Sequence, residues 1–172
     1  MKNKPNKNDR PLTSAADLRG EVSYQNFEFK PHFVRLGALR PEAAKERLVL
    51  TPAAKAKIDR RGMVYVLCIN GKILKIGCTI TDFAARVQSY NCGKKAFRAS
   101  GTCSTTNYFI LQSILNINRA VTVYAYFPKL MKYDIFGKRG EEPFPSPKAV
   151  EKEILRRFIK RHGQVPIGCT QK

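Results

Sequence analysis

Tryptophan is absent from this chain of 172 residues, and histidine occurs only as His32 and His162. A site built on histidine, for proton transfer or for a transition metal, has almost nothing to draw on. Proton-transfer groups here must be tyrosine, lysine or carboxylate. The five cysteines (Cys68, Cys78, Cys92, Cys103 and Cys169) form no CxxC pair and stand at no zinc-finger spacing from either histidine. That argues against a structural zinc site, and the odd count argues against a disulfide framework. Cys68 reads instead as a small core hydrophobe. Apolar runs are short, and none approaches the ~20 residues needed to span a bilayer. The opening MKNKPNKNDRP has no apolar segment after its charges, so no signal peptide is expected. The expected location is cytoplasmic, with no membrane association.

Acidic residues are also scarce: 13 Asp and Glu against 32 Lys and Arg, a net charge of +19. Such a field draws polyanions and speeds encounter with them. Nucleic acid is the first partner this implies. The length fits one domain with an appended arm and a sizeable core.

Three regions follow from composition. Residues 1–11 read as a disordered basic tail. Residues 12–58 read as an N-terminal region for DNA contact or dimerisation, with strand-like runs VSYQNFEF and HFVRL. Two short proline-initiated helices are expected there, over 41–48 and 52–58. Residues 59–172 read as the catalytic core. In it the pattern predicts a hairpin, a helix capped by Thr81 or Asp82 and ending near Tyr90, and a basic loop over 94–98. A second helix over 105–116, a strand over 119–127, an irregular loop over 131–147 and a last helix from Pro147 to His162 complete the order. The fold class is α+β, a small antiparallel three-stranded sheet flanked by helices with an N-terminal extension.

The hairpin is GMVYVLCINGKILKIG, residues 62–77. Asn70-Gly71 supplies the two positive φ angles of a type I′ turn. With those two as the loop, Ile69 pairs with Lys72, Leu67 with Leu74 and Tyr65 with Ile76. Strict alternation then sets Lys75 diagonal to Tyr65 but on the opposite face; a bulge would bring the two polar heads together. In the next helix Asp82, Arg86 and Tyr90 recur at four-residue spacing and share a stripe beside Phe83 and Val87. In the last helix, at about 100° per residue, Glu151 falls between Phe158 and Leu155, inside an apolar arc from Val150 to Ile159. A carboxylate there is costly unless it is paired or binds a metal. Glu153 projects to solvent.

A phenol, a guanidinium and a carboxylate in a basic protein suit hydrolysis of a phosphodiester. These residues resemble the GIY-YIG nucleases over roughly residues 60–163. Met63-Val64-Tyr65 stands for GIY and Lys75-Ile76-Gly77 for YIG. Two departures are Met63 for the first glycine and Lys75 for the tyrosine of YIG. The resemblance implies Tyr65 as general base, Arg86 as phosphate clamp, Tyr90 as a further phosphate contact and Glu151 as ligand of one Mg²⁺, with Mn²⁺ also possible. Lys75 would orient the water or lower the Tyr65 pKa. The chain looks most like the compact type II restriction endonucleases of that family. That likeness implies double-stranded DNA as substrate, a homodimer and a companion DNA methyltransferase. Candidate DNA contacts are Arg35, Arg40, Lys94, Lys95 and Arg98. Two rival readings are a nuclease of mobile-element or repair role, and a basic RNA- or DNA-binding protein without catalysis.

Overall fold

The computed structural model describes residues 10–52 and 61–170. The tail read for residues 1–11 lies, but for its last two residues, outside them. So does the helix expected over 52–58, beyond its first residue.

The hairpin organises the sheet. Strands β3 (Met63–Ile69) and β4 (Lys72–Thr79) are joined by Asn70 and Gly71, at φ 49° and 74°, the pair of positive angles that a type I′ turn requires. Every residue of β3 is buried, as befits a strand covered on both faces. The sheet is antiparallel with order β2-β1-β5-β3-β4, where β1 is Val34–Glu42, β2 Arg47–Leu50 and β5 Val121–Tyr126.

Five strands thus stand where three were expected, because the N-terminal region joins the sheet instead of standing apart from it. The run HFVRL extends into β1 past a bulge between Arg35 and Gly37. Pro41 begins no helix: it sits in β1 opposite Leu48, beyond Leu39, where pairing with β5 ends. A proline without its N–H is tolerated at such a position. The earlier run VSYQNFEF is no strand either. It makes one bridge, Ser23 to Lys72, and a 3₁₀ turn at Tyr24–Asn26. Its aromatic residues Tyr24 and Phe27 enter the core.

Helices cover both faces. On one side α1 (Phe83–Asn91), α2 (Lys95–Ala99) and α3 (Thr105–Ile117) accompany a core of Tyr65, Leu67, Leu74, Phe83, Tyr90 and Phe109. On the other, α4 (Pro147–His162) packs Ile154 and Phe158 over Val64, Val66 and Ile76. The side-chain amide of Asn91 closes the edge of β2. It accepts from the Leu48 N–H at 2.7 Å and donates to the Leu48 carbonyl at 3.1 Å.

The segment expected as an irregular loop over 131–147 holds a second hairpin, β6 (Lys129–Ile135) and β7 (Lys138–Phe144), separate from the main sheet. Its strands bury no face; β6 alternates over Met131-Lys132-Tyr133-Asp134-Ile135, whereas β7 (KRGEEPF) has no such pattern. Among the described residues no helix is long and apolar enough to cross a membrane.

Candidate active site

The register of β3 on β4 decides which side chains meet. A bulge between Leu67 and Cys68 shifts the pairing by one, so Leu67 faces Lys75, Val66 faces Ile76 and Tyr65 faces Gly77. The expected pairs Leu67–Leu74 and Tyr65–Ile76 are not formed; Ile69–Lys72 is. Lys75 and Gly77 consequently share the face of Tyr65. Gly77 leaves room for the phenol. A Cβ at that position would lie 2.5 Å from the Tyr65 hydroxyl oxygen.

Helix α1 completes this half of the site. Asp82 caps it, its carboxylate accepting from the Ala85 N–H at 2.7 Å, so Asp82 is not an ion-pair partner of Arg86. Arg86 Nε instead donates to the Tyr65 hydroxyl at 2.9 Å, and the Tyr65 and Tyr90 hydroxyls are 2.6 Å apart. The Arg86 guanidinium also lies over the Tyr90 ring, 4.6 Å from its centroid. Phe83 closes the back of Tyr65 edge-on at 5.2 Å. Burial, and then Tyr90, push the Tyr65 phenol well above its usual value, while Arg86 pulls it down. At neutral pH Tyr65 is a phenol. Burial works against the Arg86 charge, yet Tyr90 and Tyr65 outweigh it and hold the guanidinium above its ordinary value.

Lys75 belongs to a different contact. Its ammonium is buried and donates to the Gly168 carbonyl at 2.8 Å. The cation on the Tyr65 oxygen is Arg86, not Lys75.

Glu151 approaches from the opposite face of the sheet. Ser146 caps α4 and Pro147 begins it, which places Glu151 just past the first turn, where no acidic residue stands. The buried stripe of α4 centres on Ile154 and Phe158, while Ile159 is 46% exposed. Glu151 therefore borders the buried face rather than occupying its middle, and it is half-buried. Its neighbour Glu153 is engaged by Arg156 at 2.7 Å and Arg157 at 2.9 Å.

Cys78, which the sequence reading passed over, joins the two halves. Its thiol is pushed up to about 12, first by burial and then by a hydrogen bond and the charge of Glu151, against a pull from Arg86 and Lys148. Glu151 and Arg86 both act on this thiol, from helices that pack on opposite faces of the sheet. The only signal in the sequence was position: Cys78 directly follows the glycine that Tyr65 covers.

No group of three or more His, Cys, Asp or Glu gathers as a metal site among the described residues. A cation here would rest on Glu151 and its own waters, a mode that suits Mg²⁺.

The candidate DNA contacts fall on two segments. Arg35 and Arg40 are exposed on β1. Lys94 precedes α2, and Lys95 and Arg98 lie in it. Glu46, in the β1–β2 turn, ties the two segments together by accepting from the Lys95 N–H at 2.9 Å and from Gln112 at 2.7 Å. Arg98 donates to Thr105 at 3.1 Å and lies over the Tyr108 ring.

Fold and site together define an α+β protein with a phenol–guanidinium cluster and a lone carboxylate meeting at a sheet edge. No protein-family model matches the sequence, and no curated protein does. Among solved structures, restriction endonuclease HPY188I in complex with product DNA is 47% identical, over 98% of each chain, with a TM-score of 0.77. The chain belongs to the restriction endonuclease family of that protein. A mutant of bacteriophage T4 EndoII, 16% identical over 84% of this chain and 98% of its own, has a TM-score of 0.54 and shares the fold.

Proposed function

We propose that this chain is a site-specific double-stranded DNA endonuclease, a type II restriction enzyme of GIY-YIG type, hydrolysing phosphodiesters. The observation that carries the reading is Arg86 Nε on the Tyr65 hydroxyl at 2.9 Å, with the Tyr90 hydroxyl 2.6 Å from the same oxygen. The relative in complex with product DNA supports DNA as the substrate, and the net charge of +19 supports a polyanion.

In this reading Arg86 both positions Tyr65 and offers its remaining N–H groups to a phosphate oxygen. Tyr65 is the general base. Its phenolate would receive two hydrogen bonds, from Arg86 Nε and from the Tyr90 hydroxyl. Burial opposes that charge, so the phenolate is the minor form at neutral pH. Glu151 is the ligand of one divalent ion, Mg²⁺ by preference and Mn²⁺ as a substitute, which when bound would neutralise charge on the phosphate. Lys75 acts through the fold, by holding the Gly168 carbonyl. Arg35, Arg40, Lys94 and Lys95 are proposed DNA contacts, with Arg98 supporting them from its place on Thr105. One site per chain and two strands to cut imply a homodimer on a two-fold site. A companion methyltransferase would protect host DNA.

Digestion of a long unmethylated DNA with and without Mg²⁺ tests this, with Glu151→Gln in parallel. Discrete, metal-dependent fragments are expected, with loss of about 10²-fold or more in the variant. The rate should also climb with pH as the phenolate fraction grows, and Tyr65→Phe should abolish it. A smear would retain a nuclease without site specificity. Absence of cleavage by folded wild type would remove the catalytic reading.

A further inference from the structure

The β6–β7 ribbon has two unlike faces. Cross-strand partners share a face, and the register pairs Met131 with Glu142, Tyr133 with Gly140 and Ile135 with Lys138. On the other face Lys132 stands opposite Glu141 and Asp134 opposite Arg139, the latter pair 3.5 Å apart. Toward the tip that second face is a ladder of opposite charges, suited to water; nearer the base it carries Leu130 opposite Pro143. The first face is an apolar stripe. Met131 is 50% exposed and Ile135 56%, and Phe136 at the tip is fully exposed. Tyr133 covers Gly140 so closely that a Cβ there would meet its ring at 2.6 Å.

A two-stranded ribbon with an uncovered apolar face is marginal in water, so something covers it. Charge decides between candidates. The ribbon carries four cations (Lys129, Lys132, Lys138 and Arg139) against three carboxylates (Asp134, Glu141 and Glu142). It is close to neutral on a chain of net charge +19. Glu142, on the apolar face itself, would repel a phosphate backbone. The net charge of +19 works against association of two copies, and a nearly neutral surface such as this opposes it little.

The apolar face is also self-complementary. Let two copies pack face to face about a two-fold axis through the Tyr133–Gly140 pair. The row one step toward the tip, Ile135 and Lys138, then lies against the row one step toward the base, Met131 and Glu142. Each symmetric contact places apolar on apolar and ammonium on carboxylate, twice per dimer. Among the described residues neither Lys138 nor Glu142 forms an ion pair within its own chain. We infer that the Met131–Tyr133–Ile135 face of the ribbon is the surface by which two copies of this chain associate. The inference rests on the two-fold arrangement proposed above and names its contact.

The test is a charge swap on the full chain. Molar mass is measured by sedimentation across a dilution series without DNA. Lys138→Glu and Glu142→Lys should each weaken the dimer about tenfold, because each sets like charges together twice. The double variant should return it to within about threefold of wild type. Ile135→Asp, at an exposed position, should weaken it without loss of fold as read by circular dichroism. A dimer unchanged by all these variants would overturn the ribbon interface and leave the two-fold reading intact. A wild type that is monomeric throughout would overturn both. Variants that change DNA affinity while the mass stays constant would assign the ribbon to DNA and overturn the inference. Because mass is read without DNA, none of these outcomes depends on whether the chain cleaves.

Discussion

A methyl group at position 77 would sit 2.5 Å from the Tyr65 hydroxyl and 2.6 Å from its ring carbon Cζ. Gly77→Ala must therefore push the phenol away from β4, out of reach of Arg86 Nε and the Tyr90 oxygen. The expected stability cost is about 1–3 kcal/mol, typical of overpacking. Cleavage should fall more steeply, by about 10²-fold or more, since Tyr65 would be displaced by an ångström or so. Thermal melts and single-turnover cleavage measured together check this. Full activity in Gly77→Ala would remove Tyr65 from the mechanism. At this scale much of the site was legible. Tyr65 and Gly77 stand out by the hairpin motif, and Arg86 and Tyr90 by their helical spacing. The partner of Lys75, the Gly168 carbonyl, lies 93 residues away, and no local pattern announces such a contact. A half-buried thiol that feels a carboxylate, as Cys78 does, likewise leaves no periodic signature.

Among the elements, the edge of β4 owes its order to the C-terminal segment. The 3₁₀ turn Ile167–Cys169 lies against β4, held by Lys75 Nζ on the Gly168 carbonyl and by the Cys169 thiol donating to the Ile76 carbonyl at 3.1 Å. Lys75→Met keeps the aliphatic stem and removes the ammonium. The loss should be about 1.5–3 kcal/mol, the worth of a hydrogen bond with a charged donor. Hydrogen exchange at Ile167–Cys169 should quicken at the same time. If activity collapsed while that exchange stayed slow, Lys75 would be acting in the chemistry instead. Helices α1, α3 and α4 were legible because each has a cap and an amphipathic period. Strands β1 and β2 were not: Pro41 read locally as a helix start, and only pairing between distant segments makes it strand. The β6–β7 ribbon escaped because its turn is Phe136-Gly137, with φ of 52° and 81°, rather than an Asn-Gly or Asp-Gly pair. Asp134 supports that turn by accepting from the Gly137 N–H at 2.8 Å.

For the molecule as a whole, charge draws the partner while burial governs response to pH. Among the groups that bind their protons more tightly when folded are two thiols and two phenols on the two faces of the sheet. Burial raises the Cys68 thiol from 9.0 to about 12, and burial with Glu151 does the same for Cys78. Burial is also the largest cause of the upward shifts of Tyr24 and Tyr65 from 10.0. A raised folded-state pKa means the unfolded chain releases its proton first. The associated stability is fully present below the unfolded values and is lost as pH rises through 9 for the thiols and 10 for the phenols. Stability should therefore be flat between about pH 7 and pH 8.5 and then fall, each group adding at most about 1.4 kcal/mol per pH unit. Urea midpoints taken from neutral pH to about pH 11 measure this directly. Cys68→Val should lessen the decline, because Cys68 lies in the middle of β3 and its thiol is the group a valine most nearly replaces in shape. A midpoint that rose above pH 9, or a Cys68→Val curve as steep as wild type, would mean that these groups are not buried as the sheet places them.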